Sequence, residues 1–367
     1  MKEIWIAVGI AFSLAGLAIV VPVLKAGETQ EGGGYQVLAP IRNGNLTIFP
    51  VVAESTHDTG QFLTLEEGLR SGEVIVTEAG NAAPLVRPRS RNPVWNEPSR
   101  GSAQVNQLVL INNSKRPLLL LAGEIVTGGK QDRVIGKDRL VPAESDPVDL
   151  SVFCVEPGRW VARSEKFVAP MAMVQPSVRA KAMGDKDQGK VWEQVGKART
   201  SWAETVRMES GMTAAAPIQE SSSYAVAVNN QEVKHQLDSV AEPLQKEYQG
   251  AIRQLREKHA VGVVVAVNGQ FIWADVFAST SLLEKYWPKL VRSYAAEIFS
   301  QPKQSAAVDA RAAQEFIDHL HGSREVIENE PGLYRHAEIS GSGYKVFALT
   351  SLLPKTGFDL HVAKMAD

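Results

Sequence analysis

The spacing of apolar residues changes character twice along the 367-residue chain, and that succession restricts the available architectures more than any single motif does. From Tyr35 to Trp160 the apolar residues gather in short Val/Leu/Ile-rich runs broken by Gly, Pro, Asn and Asp, the signature of strands and turns. After Pro170 the period lengthens: Val191, Val195, Ala198, Trp202 and Val206 recur at helical spacing, as do Val233, Leu237, Val240, Leu244, Tyr248, Ala251 and Leu255. At Val261 the strand pattern returns. The order β-rich, α, β-hairpin, α, β excludes regular βαβ alternation and a repeat solenoid, and it predicts an α+β fold. The expected body is mainly antiparallel and β-rich over 35–160, carries a helical insert over 171–260, and ends in C-terminal β-hairpins with helices over 261–367. All of it reads as one elaborated domain, 35–367.

Local signals mark individual elements. The runs 36–42 and 45–53 flank Asn43-Gly44, a pair that accepts the positive φ angles of a two-residue hairpin turn, and Asn268-Gly269 between 261–267 and 271–277 repeats that signal. Thr64 and Glu67 have capping-box spacing, with Gly72 placed to close a helix of about two turns. Further strand runs cover 73–78, 104–112, 117–126, 133–141 and 148–156. Ser281 with Glu284 predicts the start of a helix carrying Leu283, Trp287, Leu290, Tyr294 and Ile298. A second helix is expected over 309–320, and strands over 333–340 and 344–351 flank a Gly-Ser-Gly turn. Residues 212–224, rich in Ala, Ser and Pro, read as a loop, and Pro243 as a kink or restart in the second long helix.

Ahead of this body, Ile4 to Leu24 runs 21 residues without a charge, flanked by Lys2 and Lys25. A helix needs about 20 residues to cross a ~30 Å hydrocarbon core, more than most cleaved signal cores provide. The sequence therefore predicts an N-terminal membrane helix, a transmembrane anchor or signal segment over 1–26, followed by a Gly-rich tether over 27–34. The body would then be periplasmic or extracellular. The formal charge of −2, from 39 Lys+Arg against 41 Asp+Glu, supplies no global field to hold nucleic acid. The single cysteine, Cys154, excludes a disulfide framework and any zinc or iron–sulfur site built from several thiolates. Alternating with Val152 beside Phe153 and Val155, it reads as a buried, inert thiol. The residues call for no cofactor and no metal.

Two charged, glycine-bearing clusters stand at strand ends. Gly123-Glu124 and Gly128-Gly129-Lys130-Gln131-Asp132-Arg133 follow the apolar run 118–121, and such a turn can present backbone N–H groups as an anion nest, with Lys130 and Arg133 adding charge. A triphosphate-binding P-loop is excluded, because with Lys130 as its lysine the first glycine position falls on Glu124 and the hydroxyl position on Gln131. In Cys154-Val155-Glu156-Pro157-Gly158-Arg159-Trp160, Glu156 and Arg159 can pair or clamp a ligand, with Trp160 as a stacking wall. Asp275 shares a strand face with Trp273 and Phe277, and an inward carboxylate needs a partner, for which Arg133, Lys130 or Arg159 is expected. The candidate ligand-binding set is Glu124, Lys130, Gln131, Asp132, Arg133, Glu156, Arg159, Trp160 and Asp275. No catalytic set emerges: there is no Gly-x-Ser-x-Gly elbow, and His319 and His321 beside Gly322 read as helix-end residues. Arg87, Arg89, Arg91 and Arg100 make a basic, proline-rich loop.

Several motifs occur in a fixed order: Asn45-Leu-Thr-Ile-Phe-Pro50, Thr64-Leu-Glu-Glu, Gly-Glu-Ile-Val-Thr-Gly-Gly-Lys-Gln-Asp-Arg (123–133), Cys-Val-Glu-Pro-Gly-Arg-Trp (154–160), residues 263–277 with their Asn-Gly turn, and Trp287-Pro-Lys-Leu-Val-Arg-Ser-Tyr294. Over essentially 40–300 this set resembles the bacterial ADP-ribosylglycohydrolase- and rhodanese-phosphatase-associated protein domain family. The resemblance implies association with enzymes that process ADP-ribose and related phosphorylated nucleotides, and it assigns no established molecular activity. Two functional expectations follow. One is a membrane-anchored extracytoplasmic binding or accessory domain for an anionic small molecule such as a nucleotide or ADP-ribose derivative. The other, motivated by the apolar N-terminal run and by amphipathic helices bearing Trp192, Trp202 and Trp287, is a non-catalytic structural subunit of a membrane-associated protein assembly.

Overall fold

The computed structural model describes residues 34–81, 105–255, 258–299 and 306–367. The α+β, mainly antiparallel reading of the body holds, with one correction to the fold class: the N-terminal membrane helix. Among the described residues no helix is long and apolar enough to cross a membrane. Ile4 to Leu24, the tether and the basic loop around Arg87–Arg100 lie outside the described residues.

Two short strands and a long one open the body: β1 (Tyr35–Val37), β2 (Ile41–Asn43) and β3 (Leu46–Ala53). β2 and β3 join one residue later than expected, through Gly44-Asn45: Asn43 is the last residue of β2 and pairs with Leu46, and only Gly44, at φ +60°, takes the positive angle. β4 (Leu63–Thr64) leads into α1 (Leu65–Ser71), whose capping box is complete in both directions between Thr64 and Glu67 and which closes on left-handed Gly72. Then come β5 (Val74–Thr77), β6 (Gln107–Asn112), β7 (Leu118–Leu120), β8 (Ile125–Val126), β9 (Arg133–Ile135), β10 (Arg139–Val141) and β11 (Val148–Cys154). They form a three-stranded sheet, β10-β7-β4, and a five-stranded one, β5-β6-β11-β9-β8. Leu118, Leu120, Leu108, Leu110, Val141 and Val152 close one core between these two sheets.

The helical insert comprises α2 (Pro176–Ala180), α3 (Gln188–Ser210), α4 (Met212–Glu220), α5 (Tyr224–Val228) and α6 (Gln231–Arg253). The loop expected over 212–224 is mostly helix. The Thr213-Ala-Ala-Ala run favours helix, Ala215 and Ile218 are buried, and Arg199 Nη2 donates to the otherwise free carbonyls of Ile218 and Gln219 at 3.1 and 3.2 Å. α6 likewise runs through Pro243 without restarting, held by the buried Ala241 and Leu244 on either side of it.

β12 (His259–Val267) and β13 (Gln270–Phe277) form the second Asn-Gly hairpin, with Asn268 and Gly269 at φ +54° and +77°. α7 (Thr280–Ile298) is capped two residues before the expected position: Ser279 Oγ, not Ser281, accepts Leu282 N at 3.1 Å. After α8 (Ala310–Asp318) come β14 (Arg324–Glu330), β15 (Tyr334–Gly341), β16 (Tyr344–Ser351) and β17 (Asp359–Ala366). These complete a nine-stranded antiparallel sheet, β1-β3-β12-β13-β17-β16-β15-β14, with β2 also on β3.

Both faces of that sheet are covered, which is why β3 and β12 read as near-continuous apolar runs. Leu46, Ile48, Val263, Val265, Trp273 and Phe277 pack with α3, α6 and α7 on one face. Phe49, Val51, Val264, Ala274 and Val276 meet Ala313 and Ile317 of α8 on the other. Gly262 sits where a Cβ would fall 2.3 Å from the carbonyl oxygen of Asp275, so this hairpin closes at that distance only around glycine.

Candidate functional site

The turn after β8 is built on Gly128 and Gly129, at φ +133° and +47°. A Cβ on Gly129 would lie 2.3 Å from the Phe167 ring and 2.6 Å from Glu78 Oε1. The backbone N–H groups this turn presents are taken by the protein's own acceptors: Gly128 N by Asp132 Oδ1 (3.2 Å), Gly129 N by Ser164 Oγ (3.3 Å) and Lys130 N by Glu78 Oε1 (2.9 Å). Carboxylates of the fold therefore occupy the anion nest suggested by the sequence.

Around it the strand-end segment 154–160 folds back as expected. Arg159 Nη1 donates to the carbonyls of Gly129 and Val161, both at 2.7 Å, and its Nη2 donates to Glu156 Oε2 at 2.6 Å and Asp132 Oδ1 at 3.4 Å. Glu156 Oε2 also accepts Asp132 N (3.0 Å), Gln131 Nε2 donates to the Glu156 carbonyl (3.2 Å), and Ser223 Oγ donates to Asp132 Oδ2 (2.7 Å). Burial, and after it the neighbouring Glu156 charge, raises the Asp132 carboxyl above its ordinary range despite the Ser223 hydrogen bond.

Arg133 differs from its neighbours. Its side chain is fully buried, its Nη1 reaches only the Asp132 carbonyl at 3.5 Å, and its Nε and Nη2 have no hydrogen-bond partner. Trp160, 43% exposed, lies with its ring centroid 6.0 Å from the Arg133 guanidinium carbon and 5.1 Å from Lys130 Nζ. Burial lowers the affinity of Arg133 for its proton, with Cys154, Glu78 and Asp132 pulling the other way. Lys130, Gln131, Asp132, Arg133, Glu156, Arg159 and Trp160 thus come together, and Cys154 is buried beside them.

Glu124 and Asp275 do not join them. Glu124 Oε1 accepts Lys289 Nζ from α7 at 2.6 Å, and its Oε2 accepts Leu121 N at 2.8 Å. Asp275 faces inward between Trp273 and Phe277 as expected, but its cationic partner is Arg179 of α2, not Arg133, Lys130 or Arg159: Nη1 donates to both carboxylate oxygens at 2.8 and 2.9 Å. Tyr294 OH donates to Asp275 Oδ2 at 2.5 Å. His361 of β17 bridges two acids, with Nε2 3.0 Å from Asp275 Oδ1 and Nδ1 2.6 Å from Asp138 Oδ2.

Burial alone would raise both carboxyls and lower the imidazole. Arg179 and His361 instead hold Asp275 well below the carboxylate range, His361 holds Asp138 down, and the two acids hold His361 above its ordinary value. Asp138, Asp275 and His361 are at 0% exposure, so this network fastens elements together and meets no solvent. Arg179, between Val178 and Ala180, and His361, between Leu360 and Val362, carried a weak signal in the sequence, a charged or polar residue flanked by apolar ones. Asp138, in a turn, carried none.

A cavity of about 70 Å³ opens elsewhere, between Lys137, Lys186, Glu328, His336 and Glu338 over an apolar floor of Met183 and Phe347. His336 Nε2 has no partner there, and burial lowers the ring's pKa. Among the described residues no group of three His, Cys, Asp or Glu side chains is placed to hold a metal ion. His319 ends α8, its Nδ1 2.5 Å from the Glu315 carbonyl.

The model of the ARG and Rhodanese-Phosphatase-superfamily-associated Protein domain, ARPP-1, matches residues 34–363. The chain belongs to this family. No curated protein and no solved structure matches it. The ARPP-1 match covers both clusters, so the Arg133 turn and the Arg179–Asp275–His361 network both lie within the family's domain.

Proposed function

We propose that this ARPP-1 domain binds an anionic small molecule at Arg133, beneath Trp160. One observation carries the reading: a fully buried guanidinium with two of its three nitrogens unpaired, covered by a half-exposed tryptophan on the irregular segment 155–166. An unpaired buried donor costs about 1–3 kcal/mol, more when charged, so an acceptor delivered there recovers that energy. Lys130 at the rim of the ring adds a second cation. Four cations, Lys130, Arg133, Arg159 and Arg163, face three acids, Glu78, Asp132 and Glu156, which favours a ligand of negative charge. Since Trp160 can stack a ring while Arg133 takes a phosphate, a nucleotide or ADP-ribose derivative fits the pair, and the family's name, which places it beside ARG and rhodanese-phosphatase proteins, points the same way.

The test is isothermal titration of the chain with ADP-ribose, AMP, ADP and inorganic phosphate. Trp160→Ala and Lys130→Gln, both at the rim, should weaken binding about tenfold or more while leaving the thermal midpoint unchanged. Undiminished binding in both variants, or no binding by the wild type across the panel, overturns the proposal.

A further inference from the structure

The nine-stranded sheet ends on β14, and that edge is unlike every other sheet end among the described residues. The strands at the other ends, β1, β2, β4, β5, β8 and β10, have two to four residues each. β14 has seven, all exposed, and it pairs with β15 at all seven positions without a register shift. An edge of that length presents a row of unpaired backbone N–H and C=O groups. Proteins blunt such edges with charged side chains, above all lysine, or with proline, a bulge or a covering element. On β14, Arg324, Glu325, Glu328 and Glu330 supply charges of both signs, which can be satisfied by a complementary edge. Arg-Glu-Val-Ile-Glu-Asn-Glu (324–330) contains no proline and no lysine, and Val326 and Ile327 at its centre are each 48% exposed.

We propose that β14 pairs with β14 of a second copy of this chain, antiparallel about a two-fold axis at Ile327. The register is selected by charge together with the length of strand paired. Centred on Ile327, the pairing sets Arg324 opposite Glu330 twice, Ile327 opposite Ile327, Glu325 opposite Asn329 and Val326 opposite Glu328. No acid then faces an acid, although the strand carries three glutamates and one arginine. A two-fold axis normal to the sheet opposes residues of the same face, so the neighbouring registers centre on Val326 or Glu328: the second sets Glu328 against itself, and the first leaves Asn329 and Glu330 opposite Ser323 and Gly322, beyond the strand. Glu328 is already bound on its own chain by Lys137, at 2.5 and 2.7 Å, and by Tyr334 OH at 2.9 Å, so its charge is compensated where it meets Val326. A two-fold contact of this kind uses the same edge on both copies and closes at two, which prevents growth into a fibre. The joined sheet would have eighteen strands, twice the nine of one copy.

The experiment is native mass spectrometry of the full chain, loaded at concentrations up to the order of 100 μM because seven-residue edges bury less than a standard interface. The expected species has twice the 39.9 kDa of one chain. Arg324→Glu and Glu330→Arg each set like charges opposite one another in both copies, and each should weaken the dimer about tenfold or more. The double variant R324E/E330R restores opposite charges and should restore the dimer. Neither residue has an ion pair within its own chain among the described residues, so the swap tests the contact rather than the fold, which circular dichroism verifies. Ile327→Cys should cross-link to itself under mild oxidation, the sole native thiol, Cys154, being buried. A monomeric wild type at the highest concentration, single variants as dimeric as wild type, a folded double variant that stays monomeric, or the absence of the Ile327→Cys cross-link each overturns the proposal.

Discussion

Replacing Arg179 by Met should expose how α2 is fastened to the nine-stranded sheet. In the wild type, Arg179 and His361 balance Asp138 and Asp275 in a space that solvent does not reach. Arg179→Met keeps the length of the side chain and its packing against Trp273, whose ring lies 4.6 Å from the guanidinium carbon, but it leaves one carboxylate charge uncompensated. Breaking a buried pair from one side costs about 3–5 kcal/mol. Asp275 still accepts from Tyr294 and His361, so the lower end, about 3 kcal/mol, is expected. Against a total stability of about 5–15 kcal/mol the variant remains folded, with its urea midpoint clearly lowered. Asp275→Asn alone leaves an excess positive charge. The double variant R179M/D275N returns the space to neutrality through Asp138 and His361, and it should cost less than the sum of the singles by at least about 1 kcal/mol. Urea unfolding followed by tryptophan emission measures all four corners. The reasoning is refuted if Arg179→Met costs under about 1 kcal/mol, or if the two losses simply add.

The same network sets a pH window. Asp275 and Asp138 are held low in the folded state, so their contribution is present above the unfolded carboxylate value of about 3.9 and is lost as pH falls through the folded ones. His361 is held high, so its contribution is complete below about 6.5 and is lost as pH rises through its folded value. Stability from this source should therefore peak between about pH 4 and 6.5, and His361→Gln should remove the alkaline decline. Lys364 Nζ donates to the Phe316 and His319 carbonyls, both at 2.6 Å, at the end of α8, and burial pushes its pKa down to about 8. Between there and about 10.4 the unfolded chain holds more protons, so this group adds stability as pH rises; Lys364→Met should flatten that slope and speed amide exchange in α8. Thr64→Ala removes one half of the capping box of α1 and should cost about 0.5–2 kcal/mol by thermal melting. Gly129→Ala forces a Cβ into the Phe167 ring at positive φ and should cost about 1–3 kcal/mol, with loss of any ligand seated at Arg133.

What the sequence disclosed follows the range of the forces involved. Both hairpins, the α1 capping box and the apolar faces of α3, α6 and α7 are set by residues within a few positions of one another, and each formed where read, the first hairpin with its turn one residue later, at Gly44-Asn45. The expected loop at 212–224 failed because a distant side chain, Arg199, closes the end of α4 that its local composition leaves open. β14 went unread for a related reason: its seven residues face solvent on both sides, so no alternation marks them. The candidate site divides along the same line. Lys130 to Arg133 and Glu156 to Trp160 end strands β8, β9 and β11 that lie side by side in one sheet, so their meeting follows from strand pairing.

Asp275 was legible as a buried carboxylate in want of a cation, yet its partner was not. Arg179 lies 96 positions away on a short helix and His361 lies 86 positions away on the strand paired with β13, and only closure of the sheet brings them within 3.0 Å. An inward acid on a strand thus announces that a cation must be found and says nothing of where. Arg133 inverts that lesson: Arg179 also leaves its Nε and Nη2 without hydrogen bonds but is paired with Asp275, whereas the Arg133 guanidinium reaches only the Asp132 carbonyl and no carboxylate even after closure. If the charge cycle at Asp275 shows that the fold balances its buried ions closely, the imbalance at Arg133 is the stronger reason to look there for an acceptor that the chain itself does not carry.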